Sequence, residues 1–140
     1  MAKRYTVTRQ IAAAPERVWA LLVDADGYRT WNKAVVSIKG PISHGQRIEL
    51  VSIVNPKRTF KLNVVEMAPP TRMVWADGMP LGLFRGERVY ELAPTSDGTT
   101  FTMTESFSGL LSGMISKSIP DMTESFNLFA DGLKQAAETH

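Results

Sequence analysis

The residues of this sequence best suited to chemistry are an arginine and a glutamate, Arg88 and Glu105, on two β-like runs either side of the turn from Ala93 to Gly98. Pairing Leu92 with Phe101 across that hairpin sets Tyr90 opposite Met103, Arg88 opposite Glu105 and Gly86 opposite Phe107, because antiparallel partners keep a constant number sum. Phe84, Gly86, Arg88, Tyr90 and Leu92 then share a face with Phe101, Met103, Glu105 and Phe107. Arg85, Glu87, Glu91, Thr100, Thr102 and Thr104 take the other, wet face. Arg88 and Glu105 therefore point inward among aromatics. Charges in such a place must be paired, since stranding one partner costs about 3–5 kcal/mol. Two readings stay open. Either the guanidinium, with its fixed donors, anchors the carbonyl, hydroxyl or carboxylate of a ligand, or the pair satisfies itself as an internal ion pair that needs no ligand. Arg9, on the face of Val7 and Ile11, is a third member of the cluster or lies near the exposed end of its strand.

Little else in the sequence offers chemistry. With no cysteine, disulfides, thiolate metal sites and a cysteine nucleophile are excluded. His44 sits in the turn-rich run Pro41 to Gly45, and His140 is the last residue. Neither has a fixed interior place, so no Ser-His-Asp arrangement and no metal site can be built, and no cofactor is expected. Gly82 to Gly86 lacks the lysine and the strand-to-helix context of a phosphate-binding loop. Residues 1–70 carry 11 basic and 5 acidic side chains, and residues 71–140 carry 5 and 9, a net +6 against −4. The basic residues are spread out, which favours a solvated surface over a nucleic-acid partner.

The elements that must position the pair follow from pattern. Residues 5–11 alternate as a strand, and Ala14 to Val23 read as a short helix with Pro15 and Glu16 in its first turn and Val18, Leu21 and Leu22 on one stripe. After Tyr28 to Asn32 come six short β-like runs: 35–39, 47–54, 59–67, 72–76, 84–92 and 99–107. Each is bounded by turn residues such as Gly40-Pro41, Asn55-Pro56, Pro69-Pro70 and Asp97-Gly98. Short connections make an antiparallel meander. Met122, Phe126, Phe129, Leu133 and Ala137 then mark one face of a long C-terminal helix, which starts either near Leu110 or at Pro120. In residues 59–76 both faces carry apolar residues, so whether Val74 or Trp75 points inward stays open.

A strand, short helices, six antiparallel strands and a long final helix form an α+β chain in which a curved seven-stranded sheet wraps one helix. Ile11-Ala12-Ala13-Ala14-Pro15-Glu16-Arg17-Val18-Trp19, Trp31-Asn32, Gly98-Thr99-Thr100, Thr104-Glu105-Ser106-Phe107-Ser108-Gly109 and Phe129-Ala130-Asp131-Gly132-Leu133-Lys134 occur in an order that resembles the START-like (SRPBCC, Bet v 1-like) superfamily. The chain looks like its bacterial polyketide cyclase/dehydrase branch, and residues 1–140 are read as one such domain. Lys33 departs from the proline that often follows Trp-Asn there. The resemblance implies the helix-grip fold, and either ligand binding, proton-transfer chemistry of the cyclase/aromatase type using Tyr90 or Glu105, or a protein-interaction role of the co-chaperone kind.

A twisted sheet closing around one helix leaves a gap where side chains cannot reach across, and such clefts are the usual form of small-ligand sites. The leading expectation is a hydrophobic small molecule, a lipid, polyketide or quinone-like compound, held between sheet and helix. Arg88 and Glu105 would fix its polar end, with Trp31, Leu50, Phe84, Tyr90, Met103, Phe107, Met114, Phe126 and Phe129 lining the site. The alternative is that methionines such as Met103, Met114 and Met122 complete a dry core. No run is apolar over the roughly 18 residues that span a bilayer, nor does the start carry a signal core. A cytoplasmic protein without membrane insertion is therefore expected, and a homodimer is left open.

Overall fold

The computed structural model describes residues 4–115, 117 and 119–139. Strand β1 (Arg4–Ile11) is followed by helix α1 (Pro15–Leu22), a 3-10 turn at Ala25–Gly27 and helix α2 (Tyr28–Trp31). Six strands come next: β2 (Val35–Lys39), β3 (Arg47–Ser52), β4 (Phe60–Ala68), β5 (Arg72–Met79), β6 (Phe84–Thr95) and β7 (Gly98–Ser108). Helices α3 (Ser112–Ile115) and α4 (Thr123–Glu138) complete the described chain.

The strands form one antiparallel sheet in the order β1-β7-β6-β5-β4-β3-β2. Consecutive strands from β2 to β7 are neighbours, as short hairpins require. β1 lies beside β7 at one edge and β2 forms the other edge, so α1, the 3-10 turn and α2 carry the chain between the two edges. Irregularities at Val35/Ser37 and Val64/Glu66 shift the register. Such bulges increase local twist and bend the sheet around a helix. The result is the α+β helix-grip arrangement, with α4 inside the curl. Phe126, Phe129, Leu133 and Ala137 are buried on its inner face.

The β6–β7 hairpin has the register expected from the sequence, with Leu92 opposite Phe101, Tyr90 opposite Met103 and Arg88 opposite Glu105. The two alternatives for the last helix are resolved by separating them. Leu110 to Ile115 contributes only the short α3, and Pro120 falls in the connection before α4. Asp121 Oδ1 accepts from the Thr123 backbone N–H at 2.9 Å and from its hydroxyl at 2.7 Å, which organises the first turn of α4.

The far end of α4 is fastened more heavily. Arg17 of α1 donates from Nε to the Ala137 carbonyl at 2.7 Å and from Nη2 to the Ala136 carbonyl at 3.1 Å, covering acceptors that a helix terminus leaves orphaned. Gly132 permits the backbone of α4 to press on that of α2, since a Cβ there would lie 2.1 Å from the Trp31 carbonyl oxygen. Asn32 is buried and its Oδ1 accepts from the Ala34 N–H at 3.1 Å, an Asx turn that leaves Lys33 exposed. His44 is exposed in its loop, and His140 lies outside the described residues.

Candidate functional site

Alternation along β5, β6 and β7 sends Trp75, Arg88, Met103, Glu105 and Phe107 toward α4, and the space between sheet and helix is not filled. A cavity of about 480 Å³ remains there. Leu50, Phe60 and Leu62 extend its wall, and Met122 just before α4 with Ser125, Phe126 and Phe129 on it form the roof. Asn55, Arg58, Met79, Phe84, Ile115 and Ile119 ring the end where the β3–β4 and β5–β6 loops meet the segment between α3 and α4. Phe84 and Phe107 stack at 5.9 Å with their planes 16° apart. Gly86 stands opposite Phe107, and even a methyl group there would come within 3.4 Å of its ring.

Arg88 and Glu105 form the polar feature of the wall. Arg88 Nε donates to Glu105 Oε1 at 2.8 Å, and their side chains are only 12% and 14% exposed. The guanidinium also lies over the Phe126 ring, 5.0 Å from its centroid. Burial works against the Arg88 charge, but Glu105 together with Tyr90 more than offsets this and holds the guanidinium charged, above its ordinary value. Beyond this bond the two terminal nitrogens of Arg88 and Oε2 of Glu105 make no hydrogen bond among the described residues, and both residues line the cavity. The ion pair thus uses one donor and one acceptor and leaves the others without a partner among the described residues.

Two orphaned polar atoms lie near this point. Trp75 pairs with Arg88 across β5 and β6, and its Nε1–H is buried without an acceptor. The Tyr90 hydroxyl is buried near the guanidinium but does not meet hydrogen-bond geometry with it. Burial pushes the Tyr90 hydroxyl well above its ordinary value, although Arg88 pulls the other way. An unsatisfied buried polar group costs about 1–3 kcal/mol, so this end of the interior is polar in excess of what the protein itself satisfies.

Of the residues expected in the lining, Arg88, Glu105, Leu50, Phe84, Met103, Phe107, Phe126 and Phe129 face the cavity. Three do not. Tyr90 packs at 4.9 Å from Trp75 and 5.8 Å from Phe129, in the filled part of the shell beyond the cavity. Trp31 is wedged between Tyr28 at 4.9 Å and Phe129 at 5.6 Å, where it supports α4. Met114 is 67% exposed, because α3 is a separate short helix and turns it to solvent. Arg9 joins no cluster with Arg88. It reaches α4 instead, donating to Asp131 at 2.7 Å and Asn127 at 3.0 Å.

Polar residues at the cavity that the sequence did not single out are Asp77, Asn55, Arg58, Ser52, Ser125 and Glu87, the last expected on the wet face. Asp77 sits two residues beyond Trp75 on the inward face of β5, so period-two counting finds it once Trp75 is known to point inward. Arg58 lies over the Phe60 ring at 4.7 Å. Nothing in a loop sequence signals that placement. Among the described residues no cluster of His, Cys, Asp and Glu could hold a metal, and no helix is long and apolar enough to cross a membrane.

This geometry has relatives. A truncated norcoclaurine synthase from Thalictrum flavum superposes with a TM-score of 0.73 at 13% identity, covering 100% of this chain and 96% of that one. Protein MLL2253 of Mesorhizobium loti gives 0.70 at 18% identity, covering 95% of each chain. The di-domain aromatase/cyclase BexL of the BE-7585A biosynthetic pathway gives 0.70 at 16% identity, covering 99% of this chain and 51% of that one. At such identities these likenesses establish the fold alone. Among curated proteins no relative matches the sequence. The family model described as polyketide cyclase/dehydrase and lipid transport matches residues 2–138. The chain therefore belongs to the polyketide cyclase/dehydrase and lipid-transport family.

Proposed function

We propose that the protein binds a hydrophobic small molecule, a lipid, polyketide or quinone-like compound, with an oxygen-bearing end held by Arg88 in the cavity beneath α4. The observation that carries this reading is the unspent hydrogen-bonding capacity of a nearly buried ion pair. Two terminal guanidinium nitrogens make no hydrogen bond among the described residues, and Arg88 lines a space of about 480 Å³, within the roughly 300–1,000 Å³ usual for small-ligand sites. Glu105 cancels the arginine charge, so the pocket suits a neutral carbonyl or hydroxyl as well as a carboxylate. The apolar remainder of the wall suits a hydrocarbon or ring system.

Thermal unfolding with a panel of fatty acids, quinones and aromatic polyketides tests this. A ligand at a hundredfold excess over its Kd contributes about 2.7 kcal/mol, a rise in melting temperature of about 8 °C for a chain of this size. No shift across the panel, together with no co-purified adduct in native mass spectrometry, would sink the proposal.

A second reading rests on Glu105 Oε2, the oxygen of this cavity-lining carboxylate that Arg88 does not engage. That oxygen could take a proton from a carbon next to a carbonyl held by Arg88, the proton-transfer step of a cyclisation or dehydration. Tyr90 is a poorer candidate, being walled off and held protonated. Turnover of a poly-ketone substrate that disappears in Glu105→Gln while binding persists would support catalysis by Glu105. Unchanged turnover would remove it.

A further inference from the structure

Among the described residues seven large apolar side chains are exposed, and five of them lie on or beside three connections: Ile53, Leu81 and Leu110 in loops, Met79 at the end of β5 and Met114 on the short α3. The antiparallel order gathers those connections at one end of the sheet. β3 passes into β4 there, β5 turns into β6, and β7 leaves the sheet beside them. Two of the loops are joined directly, Leu110 N–H donating to the Gly82 carbonyl at 3.1 Å and Leu111 N–H to the Leu83 carbonyl at 2.8 Å. The cavity has its ring of Asn55, Arg58, Met79 and Ile115 at this same end.

Leu81 carries the argument furthest. It is 92% exposed and stands at φ 61°, with Gly82 following at φ 72°. That pair of left-handed residues forms a turn which glycine, asparagine and aspartate adopt more readily. Neither water nor the local backbone favours a leucine at that tip. Its surroundings are cationic. Lys57, Arg58 and Lys117 are exposed and no ion pair engages them among the described residues, whereas Arg85 is held by Glu87 at 3.0 Å. Residues 50–65, 78–86 and 106–120 contain no aspartate or glutamate.

Apolar tips with lysine and arginine on their flanks match the boundary of an anionic lipid bilayer, where apolar side chains enter the acyl region and cations remain among the headgroups. A second copy of the chain fits less well, because a two-fold contact would set the same cations against each other. We propose that this end of the molecule docks peripherally on an anionic lipid surface, with the cavity mouth turned toward the membrane. That a hydrophobic ligand then passes between bilayer and cavity without crossing water rests on the ligand reading above. The docking itself does not.

The full-length protein is sedimented with vesicles of phosphatidylcholine alone and with vesicles that also contain phosphatidylglycerol. Binding to the anionic vesicles is expected. It should fall about tenfold or more in the Leu81→Asp, Leu110→Asp double variant, in the Lys57→Glu, Lys117→Glu double variant, and on raising salt to about 0.5 M. All four positions are exposed, so an unchanged melting temperature certifies the fold of each variant. No binding to anionic vesicles, or undiminished binding by the leucine variant, would overturn the proposal. So would a dimer in sedimentation velocity that the leucine variant dissolves. Vesicle binding without any ligand-induced melting shift would uphold the docking and remove the ligand reading alone.

Discussion

Replacing Arg88 by methionine removes one partner of the ion pair while keeping an unbranched side chain of similar length. Glu105, 14% exposed, then faces Trp75, Met103 and Phe126 without its cation. Breaking a fully buried pair costs about 3–5 kcal/mol, and access from the cavity side moves the expected loss to the lower end, about 3 kcal/mol. In a chain of 140 residues that is a fall in melting temperature of about 9–12 °C. Adding Glu105→Leu removes the stranded charge, and an apolar pair of similar volume is often as stable as the ions it replaces. The double variant should therefore regain most of the loss, giving a coupling of about 2–3 kcal/mol in urea unfolding. Single variants within about 0.5 kcal/mol of the parent, with additive effects, would mean that water already screens the pair. The claim that the cavity wall holds a desolvated ion pair would then be wrong. The double variant also serves the function, since it keeps the fold while removing the proposed anchor, and the ligand-induced melting shift should vanish in it.

Two further predictions probe the scaffold. Gly132→Ala gains about 1 kcal/mol of helix propensity, but the new Cβ meets backbone oxygen at Trp31, which yields only if α2 moves. Overpacking costs of about 1–3 kcal/mol or more should win, so the variant melts lower, and a rise in melting temperature would refute the close approach. Glu138 is held below the ordinary glutamate value, first by the Ala12 backbone N–H at 2.8 Å and then by Lys134 at 2.7 Å. A carboxylate depressed on folding stabilises above its unfolded value and loses that contribution as pH falls through the folded one. The stability gap between the parent and Glu138→Gln should therefore close as pH drops through the carboxylate range, and a gap that widens on acidification would contradict the tether.

The order of elements was legible because each β-like run ends in turn residues and the last helix keeps one apolar face over four turns. The Arg88 and Glu105 pairing was legible for a narrower reason, since a tight hairpin fixes register and register fixes faces. Trp75 and Asp77 stayed hidden because the irregularity at Val64/Glu66 breaks the alternation, leaving Val65 outside and valines on both sides of the count. Trp31 and Tyr90 illustrate a different gap. Periodicity says that a side chain points inward, not which part of the interior is occupied, and the distinction between a filled and an empty stretch depends on how α4 sits against the sheet. Met114 belonged to an apolar run that reads as continuing the helix backwards, and only the break before Pro120 turned it outward.

The fastening of α4 is lopsided. Its tail is clamped by Arg17 and wedged against Trp31 through Gly132, while its first turn, over the cavity, is steadied by Asp121, with Arg9 reaching Asn127 and Asp131 further along. A rod fixed at one extremity moves like a cantilever, with deflection growing toward the free tip. The proposed ligand would then enter by a small swing of Met122 and Phe126 while Phe129, Leu133 and Ala137 keep their seats. Amide exchange along α4 should accordingly be fastest near Ser125 and slowest near Leu133.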